Sequence, residues 1–81
     1  MRNPLSARYS EDRLELLENI GFRINQARMR KRMTQDDLAK AVGTARTTIT
    51  MLESGHVDPS ATRLFKIAQV LGVELRDFFV P

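Results

Sequence analysis

TQDDLAKAVGTARTTITMLESG, residues Thr34 to Gly55, holds two short helix patterns separated by a glycine. Thr34 with Asp37 three positions on reads as a capping box, and Leu38, Ala39 and Val42 supply the buried side of a helix that Gly43 ends. A second short helix is predicted from about Ala45 to Glu53, closed by Gly55, which suits a left-handed C-terminal position. On a wheel of about 100° per residue, Ala45, Ile49 and Leu52 fall within an arc of roughly 60° on one side. Arg46, Thr47, Thr50 and Met51 cover roughly 140° of the other. A merely solvated face would carry Glu or Lys. Short hydroxyl residues with one Arg and one Met suit contact better. Thr can hydrogen-bond base edges or phosphates, Arg can bind guanine through two bonds, and Met can pack on a thymine methyl.

Working outward, Ser10 with Glu11 and Asp12 predicts the N-cap of a long helix, preceded by a flexible leader over residues 1–10. Leu14, Leu17, Ile20, Ile24 and Ala27 recur at three- and four-residue steps to about Lys31, with Gly21 a place for a bend. Downstream, Asp58-Pro59-Ser60 is a start signal: either Asp58 caps with Pro59 at the first helical position, or Ser60 caps later. Leu64, Ile67, Ala68 and Leu71 mark the inner stripe of a fourth helix, with Phe65 close to it. Gly72 stops it before a final short helix around Glu74 to Phe79. No stretch alternates like a strand, so the expectation is an all-α fold, five helices around one core, as a single domain over 11–81.

Composition narrows the function. With no Cys and one His among 81 residues, disulfide scaffolds, thiolate zinc sites, cysteine nucleophiles and histidine-rich metal sites are excluded. No clustered acid/base pair is evident either, so the expectation is a protein that is not an enzyme and has no metal or cofactor. Residues 1–33 hold eight basic and four acidic side chains, against five and six in residues 34–81. Arg23, Arg28, Arg30, Lys31 and Arg32 lie in one acid-free stretch that would attract phosphate, although cations at a helix C-terminus also complement its dipole. No apolar run approaches the roughly 18 residues of a membrane span, and the N-terminus lacks a secretory pattern. A cytoplasmic location is expected.

With its flanks, the motif of residues 34–54 resembles the Xre/Cro-type, lambda repressor-like helix-turn-helix family. The resemblance rests on Thr34-Gln35, Leu38-Ala39, Val42-Gly43, Ile49, and Glu53 with Gly55. Ile20-Gly21 through Arg23, Ile24 and Arg28 looks like the family's first helix, here extended. Asp58-Pro59-Ser60 through Leu64, Ile67-Ala68, Leu71-Gly72-Val73 and Phe78 looks like its last two. The resemblance implies a five-helix lambda repressor-like domain. The small Ala39 would let the motif helices approach, and Gly43 would take the turn. Arg46, Thr47, Thr50 and Met51 would face base edges in the major groove. Gln35 would contact phosphate, with Thr44, Thr48, Ser54, His56, Ser60, Thr62 and Arg23 as further phosphate candidates. For these the plainer readings are a solvated loop for His56 and consumption as a cap for Ser60, while Arg63 and Lys66 read as solvated.

An Arg28–Glu53 ion pair is implied too, aiming the recognition helix and, if partly exposed, contributing only about 0 to 1 kcal/mol. Three residues depart from the family pattern: Ala45 where a capping Ser is usual, Met51 where a longer polar residue is common, and Glu74 for a short polar cap. The function so implied is a sequence-specific regulator, read as a repressor, that binds double-stranded DNA at a pseudo-palindromic operator as a homodimer. Leu75, Phe78 and Phe79 are the dimer candidates, with core packing the plainer alternative; Leu14, Leu16 and Leu17 are a second candidate for that surface or for packing within the molecule. A bacterial or phage source is implied. The alternative is the antitoxin of a toxin–antitoxin pair, with a toxin protein as partner.

Overall fold

The computed structural model describes the backbone of residues 4–80 and the side chains of residues 11–80. Four α-helices, α1 (Pro4–Arg30), α2 (Gln35–Val42), α3 (Arg46–Glu53) and α4 (Ala61–Leu71), precede a 3-10 turn over Leu75–Phe79. The fold is all-helical, as expected, with the fifth helix reduced to that turn. Among the described residues no helix is long and apolar enough to cross a membrane.

α1 starts earlier than Ser10 and its acidic neighbours suggested. It begins at Pro4, whose fixed φ and missing N–H suit a first helical position, so Ser10 lies inside the helix and does not cap it. The stretch expected to be a leader therefore has helical backbone from Pro4 on, and its first three residues lie outside those described. At 27 residues α1 is about 40 Å long, most of the molecule's longest extent of 46 Å.

The caps set the remaining boundaries. Thr34 Oγ1 accepts from the Asp37 N–H at 3.0 Å, and the Asp37 carboxylate accepts from the Thr34 N–H at 2.9 Å. Gly43 ends α2 in the left-handed region at φ 83°. Ala45 caps α3 by backbone shape alone, with no side-chain bond from itself or Thr44 to the helix start. Of the two caps open for α4, Ser60 serves: its Oγ accepts from the Arg63 N–H at 3.2 Å. Asp58 instead pairs with Arg13 of α1 at 3.0 Å. Glu74 precedes the 3-10 turn, and its N–H donates to Asp77 at 3.0 Å.

α2 packs on α3 and α4, while α1 runs across α3, α4 and the 3-10 turn. Ile24, Leu38, Ile49, Ile67 and Phe78 are the largest fully buried side chains, one from each element. Gly21 is where α1 meets the end of α3. A Cβ there would collide with the Leu52 carbonyl oxygen and lie 2.6 Å from that of Glu53. The glycine expected to bend α1 thus serves to seat one helix on another.

Candidate nucleic-acid interface

α3 presents the two faces its spacing predicts, with one exception. Ile49 and Leu52 are buried, and Arg46, Thr47, Thr50 and Met51 are exposed. Ala45, assigned to the inner face, is exposed, because as the cap residue it has already left the helical path. Among the described residues no carboxylate lies within ion-pair distance of Arg46, so its guanidinium is uncommitted. The Met51 side chain stands open at the other edge of the same exposed face.

Behind this face is a polar knot that joins three helices. Arg28 on α1 binds Glu53 at the end of α3 through Nε at 2.7 Å and Nη2 at 3.0 Å. Its Nη1 donates to the Met33 carbonyl at 2.7 Å, which also fixes the turn between α1 and α2. Asn25 Nδ2 donates to Glu53 Oε1 at 2.8 Å, and Gln35 Nε2, from the first residue of α2, donates to the same oxygen at 3.2 Å. Gln35 Oε1 in turn accepts the Thr50 hydroxyl at 2.8 Å. α3 is therefore tied to α1 and α2 by polar bonds as well as by the apolar core.

The Arg28 and Glu53 side chains are 9% and 5% exposed, so the pair is buried and the small contribution of a surface ion pair does not apply. Burial pushes the Glu53 carboxyl up, but hydrogen bonds from Arg28, Asn25 and Gln35, with the Arg28 charge, outweigh it and hold the group below its ordinary value. The hydrogen bond to Glu53 likewise raises Arg28, against the opposing effect of burial. Asn25 was not singled out in the sequence. The available signal was its place three residues before Arg28, on the same side of α1.

The phosphate candidates divide. Gln35 sits half-buried at the N-terminus of α2, with one amide hydrogen on Glu53 and the other available. Thr44 and Thr48 are half-buried beside the motif turn and the first turn of α3. Ser54 Oγ lies 2.9 Å from the Thr50 carbonyl, which takes its proton, and 2.8 Å from His56 Nδ1. Ser60 is spent as the α4 cap and also meets the Thr62 hydroxyl at 3.2 Å. Arg23 is placed elsewhere, half-buried in the cleft that α1 forms with Val73, Asp77 and Phe78, on the far side of α1 from Asn25 and Arg28. Position 23 is about 200° around the helix from Gly21, which faces α3, so proximity in sequence to Arg28 did not carry it to the interface.

The dimer candidates divide as well. Phe78 is 1% exposed and belongs to the core, and Leu75 is partly buried against it, so neither forms a free surface. Phe79 is 47% exposed and lies next to Leu16, itself 45% exposed. Leu17 is buried and Leu14 exposed.

The HTH_3 helix-turn-helix family model matches residues 24–78, which covers the polar knot and every helix after α1. An uncharacterised HTH-type transcriptional regulator of Methanocaldococcus jannaschii is 48% identical over 48 residues, 59% of this chain and 73% of that protein. Another from Archaeoglobus fulgidus is 43% identical over 58 residues, 72% of this chain and 82% of the relative. The restriction-modification controller protein C.AhdI from Aeromonas hydrophila superposes with a TM-score of 0.75 at 30% identity, over 78% of this chain and 96% of that one. Both sequence relatives are archaeal, so the similarity is not confined to the bacterial or phage source that the resemblance implied. These are regulators and not enzymes. An exposed outer face on α3 with a free Arg46 guanidinium, a polar mount behind it and a match over most of the chain lead to one assignment: the protein belongs to the HTH_3 helix-turn-helix family of DNA-binding transcription regulators.

Proposed function

We propose that the protein is a sequence-specific repressor that binds a pseudo-palindromic operator as a homodimer, with α3 in the major groove. The observation that carries this reading is the outer face of α3, where Arg46, Thr47, Thr50 and Met51 are exposed together and Arg46 is uncommitted. Arg46 stands at the first position of the helix, the end that enters the groove, and its fork matches guanine O6 and N7. Gln35 donates its second amide hydrogen to a phosphate, aided by the α2 N-terminus. Thr44, Thr48 and Thr62 are further donors to the backbone, and His56 joins them on the loop after α3.

Phe79, Leu16 and the open apolar groove of about 440 Å³ between α1, the start of α4 and the 3-10 turn form the seam between copies. Two copies joined there would cover promoter DNA and exclude RNA polymerase. Selection of bound duplexes from a random pool at near-physiological salt tests the whole reading. The expected product is a pseudo-palindrome with half-sites about 34 Å apart, and Arg46→Ala loses the preference at one position in each half. A pool without enrichment would overturn the reading, and a search for a protein partner such as a toxin would follow.

A further inference from the structure

The polar knot has a direction. Glu53 is held in its charged form among N–H donors and offers nothing but acceptors. The Gln35 amide must therefore turn its NH2 to Glu53, which leaves its carbonyl facing α3. That carbonyl is 2.8 Å from Thr50 Oγ1, and the other group near the hydroxyl, the Arg46 carbonyl at 3.2 Å, is also an acceptor. The single Thr50 proton is drawn inward by both. What Thr50 presents on the exposed face of α3 is a methyl group and an oxygen with lone pairs.

From this polarity we infer that the Glu53–Gln35–Thr50 chain makes Thr50 an acceptor-only reader, selective for a base with an exocyclic amine. Adenine N6 and cytosine N4 are the major-groove donors, whereas guanine O6 and N7 and thymine O4 would meet an oxygen lone pair without a proton between. Thr47, about 60° further round the exposed arc, supplies the contrast. Among the described residues its hydroxyl has no hydrogen-bond partner, so it rotates to donate or accept and tolerates either kind of base edge. Gln35 acts here as a positioning residue, in addition to its phosphate contact. The inference rests on α3 entering the major groove, as proposed above.

Duplex selection with the wild type, Thr50→Ser, Thr50→Val and Gln35→Met tests it. The wild type and Thr50→Ser are expected to share a preference for adenine or cytosine at one position of each half-site. Thr50→Val, which keeps the shape and loses the hydroxyl, weakens that preference about fivefold or more and leaves the other positions alone. Gln35→Met binds all duplexes less tightly but, with only the longer bond to the Arg46 carbonyl left to hold the hydroxyl inward, also admits guanine or thymine at the same position. A merely structural Gln35 would lower affinity without changing which base is chosen. The inference is overturned if Thr50→Val leaves every preference intact, if the position it affects favours guanine or thymine in the wild type, or if Gln35→Met keeps the wild-type choice. A wild type that enriches no sequence defeats the groove-reading model itself, which is a different result from an operator whose bases ignore Thr50.

Discussion

Arg28 and Glu53 show how burial changes the arithmetic of a single interaction. An ion pair in water is nearly neutral for stability, but here removal of the cation leaves a buried carboxylate with only Asn25 and Gln35 as donors. Arg28→Ala should cost about 3 kcal/mol in chemical denaturation, toward the low end for a broken buried pair because those two amides remain. The same group contributes to the acid limit of the fold, as does Asp37, whose carboxyl the Thr34 hydrogen bonds also hold below its ordinary value. Because the folded Glu53 carboxyl is held below its ordinary value, the unfolded chain binds the proton more readily. The contribution is complete above the ordinary carboxylate range near pH 4.3 and is lost as pH falls through the lowered folded value. Melting temperature should therefore fall steeply below about pH 4, and Glu53→Gln, less stable at neutral pH, should show a flatter profile over the same window.

At the scale of elements, two positions have effects that helix propensity alone would misjudge. Replacing a glycine within a helix by alanine normally stabilises by about 0.5 to 1 kcal/mol. At Gly21 the added Cβ would meet backbone oxygens of Leu52 and Glu53, which cannot rotate away, so α1 must lift from α3. Gly21→Ala is expected to destabilise by about 1 to 3 kcal/mol in thermal unfolding, the reverse sign. Ala45 is the opposite case, a cap in the right conformation without the right side chain. Ala45→Ser should add about 1 kcal/mol and raise the melting temperature by about 4 to 8 °C, as differential scanning calorimetry would show.

Across the whole molecule, Leu16 and Leu17 of α1 line an apolar groove together with Phe79 of the 3-10 turn. Asn19 Nδ2 donates to the Val80 carbonyl at 2.8 Å and holds the segment after the 3-10 turn against α1, with Phe79 and Leu16 lining one groove. Phe79→Asp should convert a dimer to a monomer in sedimentation velocity and weaken operator binding, while changing the melting temperature of the monomer fold little, since Phe79 is already exposed. A Phe79→Asp protein that sediments unchanged would place the seam elsewhere.

The sequence by itself determined the helix-turn-helix motif, the two faces of α3, the capping box at Thr34 and the end of α2 at Gly43, because each rests on contacts within one or two turns of chain. It left the caps of α4 open and put the start of α1 too late, since Ser10 with its acidic neighbours is a plausible cap that a longer helix simply runs through. Only the tertiary structure decided which of two adjacent phenylalanines is core, which of two nearby arginines turns toward α3, and why α1 carries a glycine. It alone brought Asn25, Gln35 and Thr50 into one chain of hydrogen bonds with the buried pair. Those outcomes depend on the distance between backbones far apart in sequence, and residue spacing along a single helix carries no record of that distance.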